Sequence, residues 1–79
     1  MTHIEIEKKI ITDDNKIFRI GSDIAFNYNG DKVVCKIKDI CEEDNCIHAT
    51  DVIVNGKHIF EDVKYLLSCM KDIDFVYYD

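Results

Sequence analysis

Ile24-Ala25-Phe26-Asn27-Tyr28-Asn29-Gly30-Asp31-Lys32-Val33-Val34-Cys35-Lys36-Ile37 is the stretch that decides the fold. Two β-rich runs flank Asn29-Gly30, and Asn and Gly both tolerate the positive φ that a type I′ turn needs at its two central residues. The twist of that turn matches the twist of the strands it joins, so the stretch reads as a β-hairpin. A two-residue loop sets Tyr28 opposite Asp31, Phe26 opposite Val33 and Ile24 opposite Cys35. The large apolar residues then share one face, Ile37 continues it, and Lys32, Lys36 and Lys38 fall on or near the other. A second Asn-Gly, Asn55-Gly56, lies between Val52-Ile53-Val54 and Lys57-His58-Ile59 and predicts a second tight hairpin.

Between the two turns the first strand continues to about Cys41, Glu42-Glu43-Asp44-Asn45 forms a loop, and a strand runs from Cys46 to Val54. Its parity is mixed. Val52, Val54 and Ile59 share one face while Ile47, Ala49 and Ile53 lie on the other, which calls for a bulge near Thr50-Asp51 or burial on both sides. Toward the N-terminus, the alternation of Ile4-Glu5-Ile6-Glu7 predicts one strand from about His3 to Ile11. Asp13-Asp14-Asn15-Lys16 is a turn cluster, and Gly21-Ser22-Asp23 separates Ile17–Ile20 from Ile24–Tyr28. Toward the C-terminus, Phe60, Val63, Leu66, Leu67 and Met70 recur at three- and four-residue spacing, which predicts a helix over about 60–71. Glu61 and Asp62 in its first turn and Lys71 in its last agree with the helix dipole. Asp72–Tyr78 reads as a closing strand.

The expected fold class is therefore α+β: a single domain over 1–79, mostly an antiparallel meander, with one helix before the last strand. In Arg19-Ile20-Gly21-Ser22-Asp23-Ile24-Ala25-Phe26 and the meander that follows to Ile59, the chain resembles the SH3-like small β-barrel. That resemblance implies a barrel and a binding module as a class, and it names no ligand.

Seventy-nine residues, 47% of them apolar, suffice for a modest core. No apolar run approaches the roughly 18 residues that span a bilayer. The first residues alternate and carry acids early, unlike a signal peptide, so the expected setting is cytoplasmic and the four cysteines are expected to be reduced thiols. The net charge of −6 is uneven, with +1 over residues 1–38 and −7 over 39–79.

That asymmetry carries the leading functional expectation. Asp39, Glu42, Glu43 and Asp44 cluster at one loop, and such a surface steers a protein toward a basic partner, including one whose groove normally holds nucleic acid. In size and charge the chain resembles the small acidic proteins of phages and mobile elements that inhibit nucleases or defence systems. The plainer account of the same acids is a solubilising surface. A second expectation is a nucleic-acid- or nucleotide-binding surface of Arg19, Lys32, Lys36 and Lys38 with Tyr28 or Phe18 stacking on bases; net repulsion from phosphate disfavours it. A third is a small metal-stabilised domain. With Glu42–Asn45 as the loop, Cys41 lies opposite Cys46 and His48 follows two residues on, with Asp39 opposite it; Cys and His are zinc ligands, although Cys-x4-Cys-x-His is no standard spacing. No nucleophile signature, glycine-rich phosphate loop or paired general acid and base stands out, so the chain reads as non-enzymatic and without a cofactor. If the closing strand with Phe75, Tyr77 and Tyr78 lies at an edge, a homodimer follows naturally; otherwise both its faces are covered, one by the helix.

Overall fold

The structure is a computed structural model that describes residues 2–5 and 8–76. Among the described residues nine strands follow in order: β1 (His3–Glu5), β2 (Lys9–Ile11), β3 (Ile17–Arg19), β4 (Asp23–Tyr28), β5 (Asp31–Cys41), β6 (Cys46–Val54), β7 (Lys57–Ile59), β8 (Val63–Leu66) and β9 (Met70–Phe75). A 3-10 turn, Leu67–Cys69, joins β8 to β9. All pairings are antiparallel. β1-β2-β3 form one sheet; the other has the order β7-β6-β5-β4-β9, with β8 also on β6. One apolar cluster draws on both sheets: Ile10 and Phe18 from the first, Ile24, Phe26, Val33, Ile37, Ile40, Ile47 and Val52 from the second.

The hairpin register holds at every expected pair: Tyr28 faces Asp31, Phe26 faces Val33 and Ile24 faces Cys35. Asn29 and Gly30 have φ of 50° and 87°, and Asn55 and Gly56 have 51° and 83°, as both turns require. Cys41 faces Cys46 and Asp39 faces His48 across the middle loop.

The mixed parity of β6 resolves as a bulge. Asp51 and Val52 together oppose Cys35 on β5, with Asp51 at φ 52°. Ala49 and Val52 therefore both point into the core although they are three residues apart. The same device recurs on β9, where Asp72 (φ 55°) and Ile73 together oppose Phe26, so Met70 and Ile73 are both buried. Aspartate is among the few non-glycine residues that enter this backbone region readily. On β5, Lys38 is the extra residue, and it carries the buried face from Ile37 to Ile40.

Three expectations are corrected. The fold is all-β, not α+β, because residues 60–71 form no helix. Val63, Tyr65 and Leu67 alternate inward and Lys64 and Leu66 outward, so β8 pairs with the half of β6 that would otherwise be an open edge. Tyr65 is 6% exposed, its ring 5.1 Å from Phe26 and 4.8 Å from Tyr28, whereas Leu66 and Phe60, assigned to the helical stripe, are 43% and 96% exposed. Burial of Tyr65 and the pairing of a sheet edge outweigh the three-residue periodicity. The sheets also do not close into a barrel: the strand path is open, with β9 at one side and β7 with β8 at the other. Finally, His3–Ile11 is a hairpin, not one strand. Glu5 pairs with Lys9, and Lys8 takes φ 54° and donates its N–H to Glu5 O at 3.0 Å.

Candidate functional site

The four acids of the middle loop divide into two pairs. Asp39 accepts from Lys8 Nζ at 3.2 Å and from the Ile40 N–H at 2.9 Å. Those bonds, the backbone one first, hold its carboxyl below the ordinary carboxylate value. Asp44 accepts from Lys64 Nζ at 3.4 Å and from the Cys41 thiol at 3.7 Å. Glu42 and Glu43 are exposed and make no ion pair among the described residues. The loop itself is built firmly. Asn45 takes φ 51° and donates to Glu42 O, and Leu67 N–H donates to Asn45 O at 2.9 Å, which ties the loop to the 3-10 turn.

The metal set of the sequence is brought together in part. Cys41 and Cys46 are adjacent, but the third side chain beside them is Asp44, not His48. His48 is exposed and lines a different hollow with Lys38, Asp39 and Asp62.

The basic set disperses. Lys38 Nζ is 2.6 Å from Asp62 Oδ2. The pairing raises the lysine and, with the Thr50 hydroxyl, lowers the aspartate. Lys36 stands opposite Asp23 and Lys32 opposite Asn27 on the outer face of the large sheet, while Arg19 belongs to the small one. Neither aromatic is presented to a base. Phe18 is fully buried against Phe75, with centroids 4.5 Å apart, and Tyr28 is half-buried with its hydroxyl accepting the Leu66 N–H.

One surface feature escaped the sequence. Ile59 pairs with Val52 and Val63 with Ala49, so Thr50 and Asp51 of β6 face three residues of the returning chain, Phe60, Glu61 and Asp62. The surplus residue pushes Phe60 outward, where its ring stacks on His58 at 6.1 Å and 18° from parallel. Thr50, Asp51, His58, Ile59, Glu61 and Asp62 form a hollow with it. No family model, curated protein or solved structure matches this chain. No helix among the described residues is long and apolar enough to cross a membrane. As for the dimer, β9 pairs only with β4 among the described residues, and Tyr77 and Tyr78 lie outside them. The only signal for Phe60 was its position one residue after a short strand, before two acids; its place in an apparent apolar stripe concealed it.

Proposed function

We propose that this chain is a non-enzymatic protein-interaction module of the cytoplasm, which docks on a partner offering an apolar socket rimmed by basic side chains. The observation that carries the reading is Phe60. A phenylalanine 96% exposed, with the near-parallel His58 ring 6.1 Å away between centroids, is costly to leave in water. Such an aromatic is the kind of anchor that dominates interfaces. Asp51 and Glu61 flank it without ion pairs among the described residues, and the chain carries −6 overall, so the complementary rim is basic. Glu42 and Glu43 add unpaired charge at the tip of the middle loop and speed the encounter rather than anchor it. A small acidic inhibitor of a nucleic-acid-handling protein, of the phage or mobile-element kind, has this chemistry.

The test places a photo-crosslinking residue at position 60 in cells of the native host. One dominant protein adduct is expected, depleted when Glu61→Lys and Asp51→Asn, which keeps a residue tolerant of positive φ, are added, and absent when the crosslinker stands at Lys57. Equal, diffuse labelling from both positions overturns the reading. The crosslinker replaces a side chain 96% exposed and should leave folding stability within about 0.5 kcal/mol, as at other exposed positions, so a weakened adduct is read on an intact fold.

A further inference from the structure

Cys46 is fully buried but lies outside the apolar cluster of the core. Register places it in a cross-strand row with Cys41 on β5 and Leu66 on β8, next to the middle loop. Cys41 Sγ, Cys46 Sγ and a carboxylate oxygen of Asp44 lie within 4.8 Å of one another. Thiols and a carboxylate converging at one point are the donor set of zinc-class ions. With metal–ligand bonds of about 2.0–2.3 Å, the donors of a tetrahedral site stand roughly 3.5–3.8 Å apart, so closing this group takes about an ångström of side-chain movement.

We infer that Cys41, Asp44 and Cys46 form a three-ligand site for a zinc-class divalent cation, with water completing the tetrahedron. Two thiolates and a carboxylate carry three negative charges against two on the metal. The Lys64 ammonium, already hydrogen-bonded to Asp44, supplies the balancing charge and holds the ligating carboxylate from outside. Each cysteine releases its proton to solvent as the metal–sulfur bond forms. The loop is pre-shaped by Asn45 and by the Leu67–Asn45 hydrogen bond, so binding orders little new backbone. His48, the obvious ligand by residue type, is not part of the site.

Titration of the reduced protein with Co(II) tests this. A sulfur-to-cobalt charge-transfer band with strong tetrahedral d–d bands should saturate at one ion per chain and vanish on addition of Zn(II). Cys41→Ser, at a half-exposed position that spares the fold, should abolish the bands. Asp44→Asn should weaken binding at least about tenfold, and His48→Ala should leave it unchanged. Absence of the bands in the unaltered protein, their survival in Cys41→Ser, or their loss in His48→Ala overturns the assignment. None of these outcomes bears on the docking of Phe60.

Discussion

Asn55 and Lys32 exchange two hydrogen bonds: the Asn55 N–H donates to Lys32 O at 2.8 Å, and the Lys32 N–H donates to Asn55 Oδ1 at 2.9 Å. Asn55 Nδ2 also donates to Asp31 Oδ1 at 2.9 Å. The second Asn-Gly turn is thereby fastened to the strand that leaves the first, and the two asparagines, alike in backbone, differ in duty.

Replacement by glycine separates those duties, because glycine keeps the positive φ and loses only the side chain. Asn29→Gly should change stability by a few tenths of a kcal/mol. Asn55→Gly should cost about 1–2 kcal/mol, the value of its side-chain hydrogen bonds. Urea unfolding of the two variants measures the contrast, and equal costs would show that the side chain of Asn55 contributes nothing beyond the turn. Gly30→Ala and Gly56→Ala should each cost about 1–2 kcal/mol from backbone strain alone, since an added Cβ meets no atom within 4 Å at either position.

Acid should weaken the fold through four aspartates. Asp14, Asp39, Asp62 and Asp74 are all held below the ordinary value of 3.8, by Thr12 and Lys16, by the Ile40 N–H and Lys8, by Lys38 and Thr50, and by Lys16 and the Phe75 N–H respectively. A carboxyl lowered on folding contributes stability that is fully present above its unfolded value and lost as pH falls through its folded value. The melting temperature should therefore be flat from pH 7 to about 5 and fall below about pH 4. Lys16→Met removes the cation that bridges Asp14 and Asp74 and should make the fall shallower. An unchanged slope would place the acid sensitivity elsewhere. All four side chains are 44–61% exposed, so added salt should also blunt the effect.

The strand assignment of residues 63–66 reverses what a helical stripe predicts for two substitutions, because it exposes Leu66 and buries Tyr65. Leu66 points outward from an edge strand, so Leu66→Val should be neutral or mildly stabilising, whereas in a helix interior the β-branched residue would cost stability. Tyr65→Ala empties a site packed against Phe26 and Tyr28 and should cost about 3–5 kcal/mol. A far-UV circular dichroism spectrum with a helical signature would contradict the strand directly.

The same three-residue spacing explains what could and could not be read from the sequence. The hairpins were legible because Asn-Gly is local chemistry, and the register of β4 on β5 followed from it. The pairs Ile37/Ile40, Ala49/Val52 and Met70/Ile73 are each three apart and each buried, because a bulge sits between them. An apolar residue every three or four positions is also the mark of a helix, and over 60–71 local pattern alone could not separate the two. Tyr65 was the deciding residue, since it lies off the supposed helical stripe. Its burial depends on Phe26 and Tyr28, nearly forty residues away in sequence, and no local window contains them. What marks two of these bulges is the positive φ of Asp51 and Asp72, which the sequence does not distinguish from Asp23 or Asp39 elsewhere in the strands. At the candidate sites the pairing of Cys41 with Cys46 was legible because a four-residue loop sets its flanking residues opposite each other. The exchange of His48 for Asp44 was not, because it depends on which side chains the loop folds back beside the thiols.

The four cysteines should divide cleanly in reactivity. Burial pushes the Cys35 thiol up to about 12, and burial also raises Cys46. The attacking species is the thiolate, so at pH 7 only about one Cys35 in a hundred thousand is competent even before access is considered. Cys41 and Cys69 are half-exposed. Labelling the metal-free native protein with a maleimide at pH 7 should modify Cys41 and Cys69 quickly. Cys35 and Cys46 should react only at the rate of opening, and all four should react together in denaturant. Mass mapping of the adducts reads the order. Fast modification of Cys35 in the native state would mean that the hairpin of β4 and β5 opens far more often than a fully packed core permits.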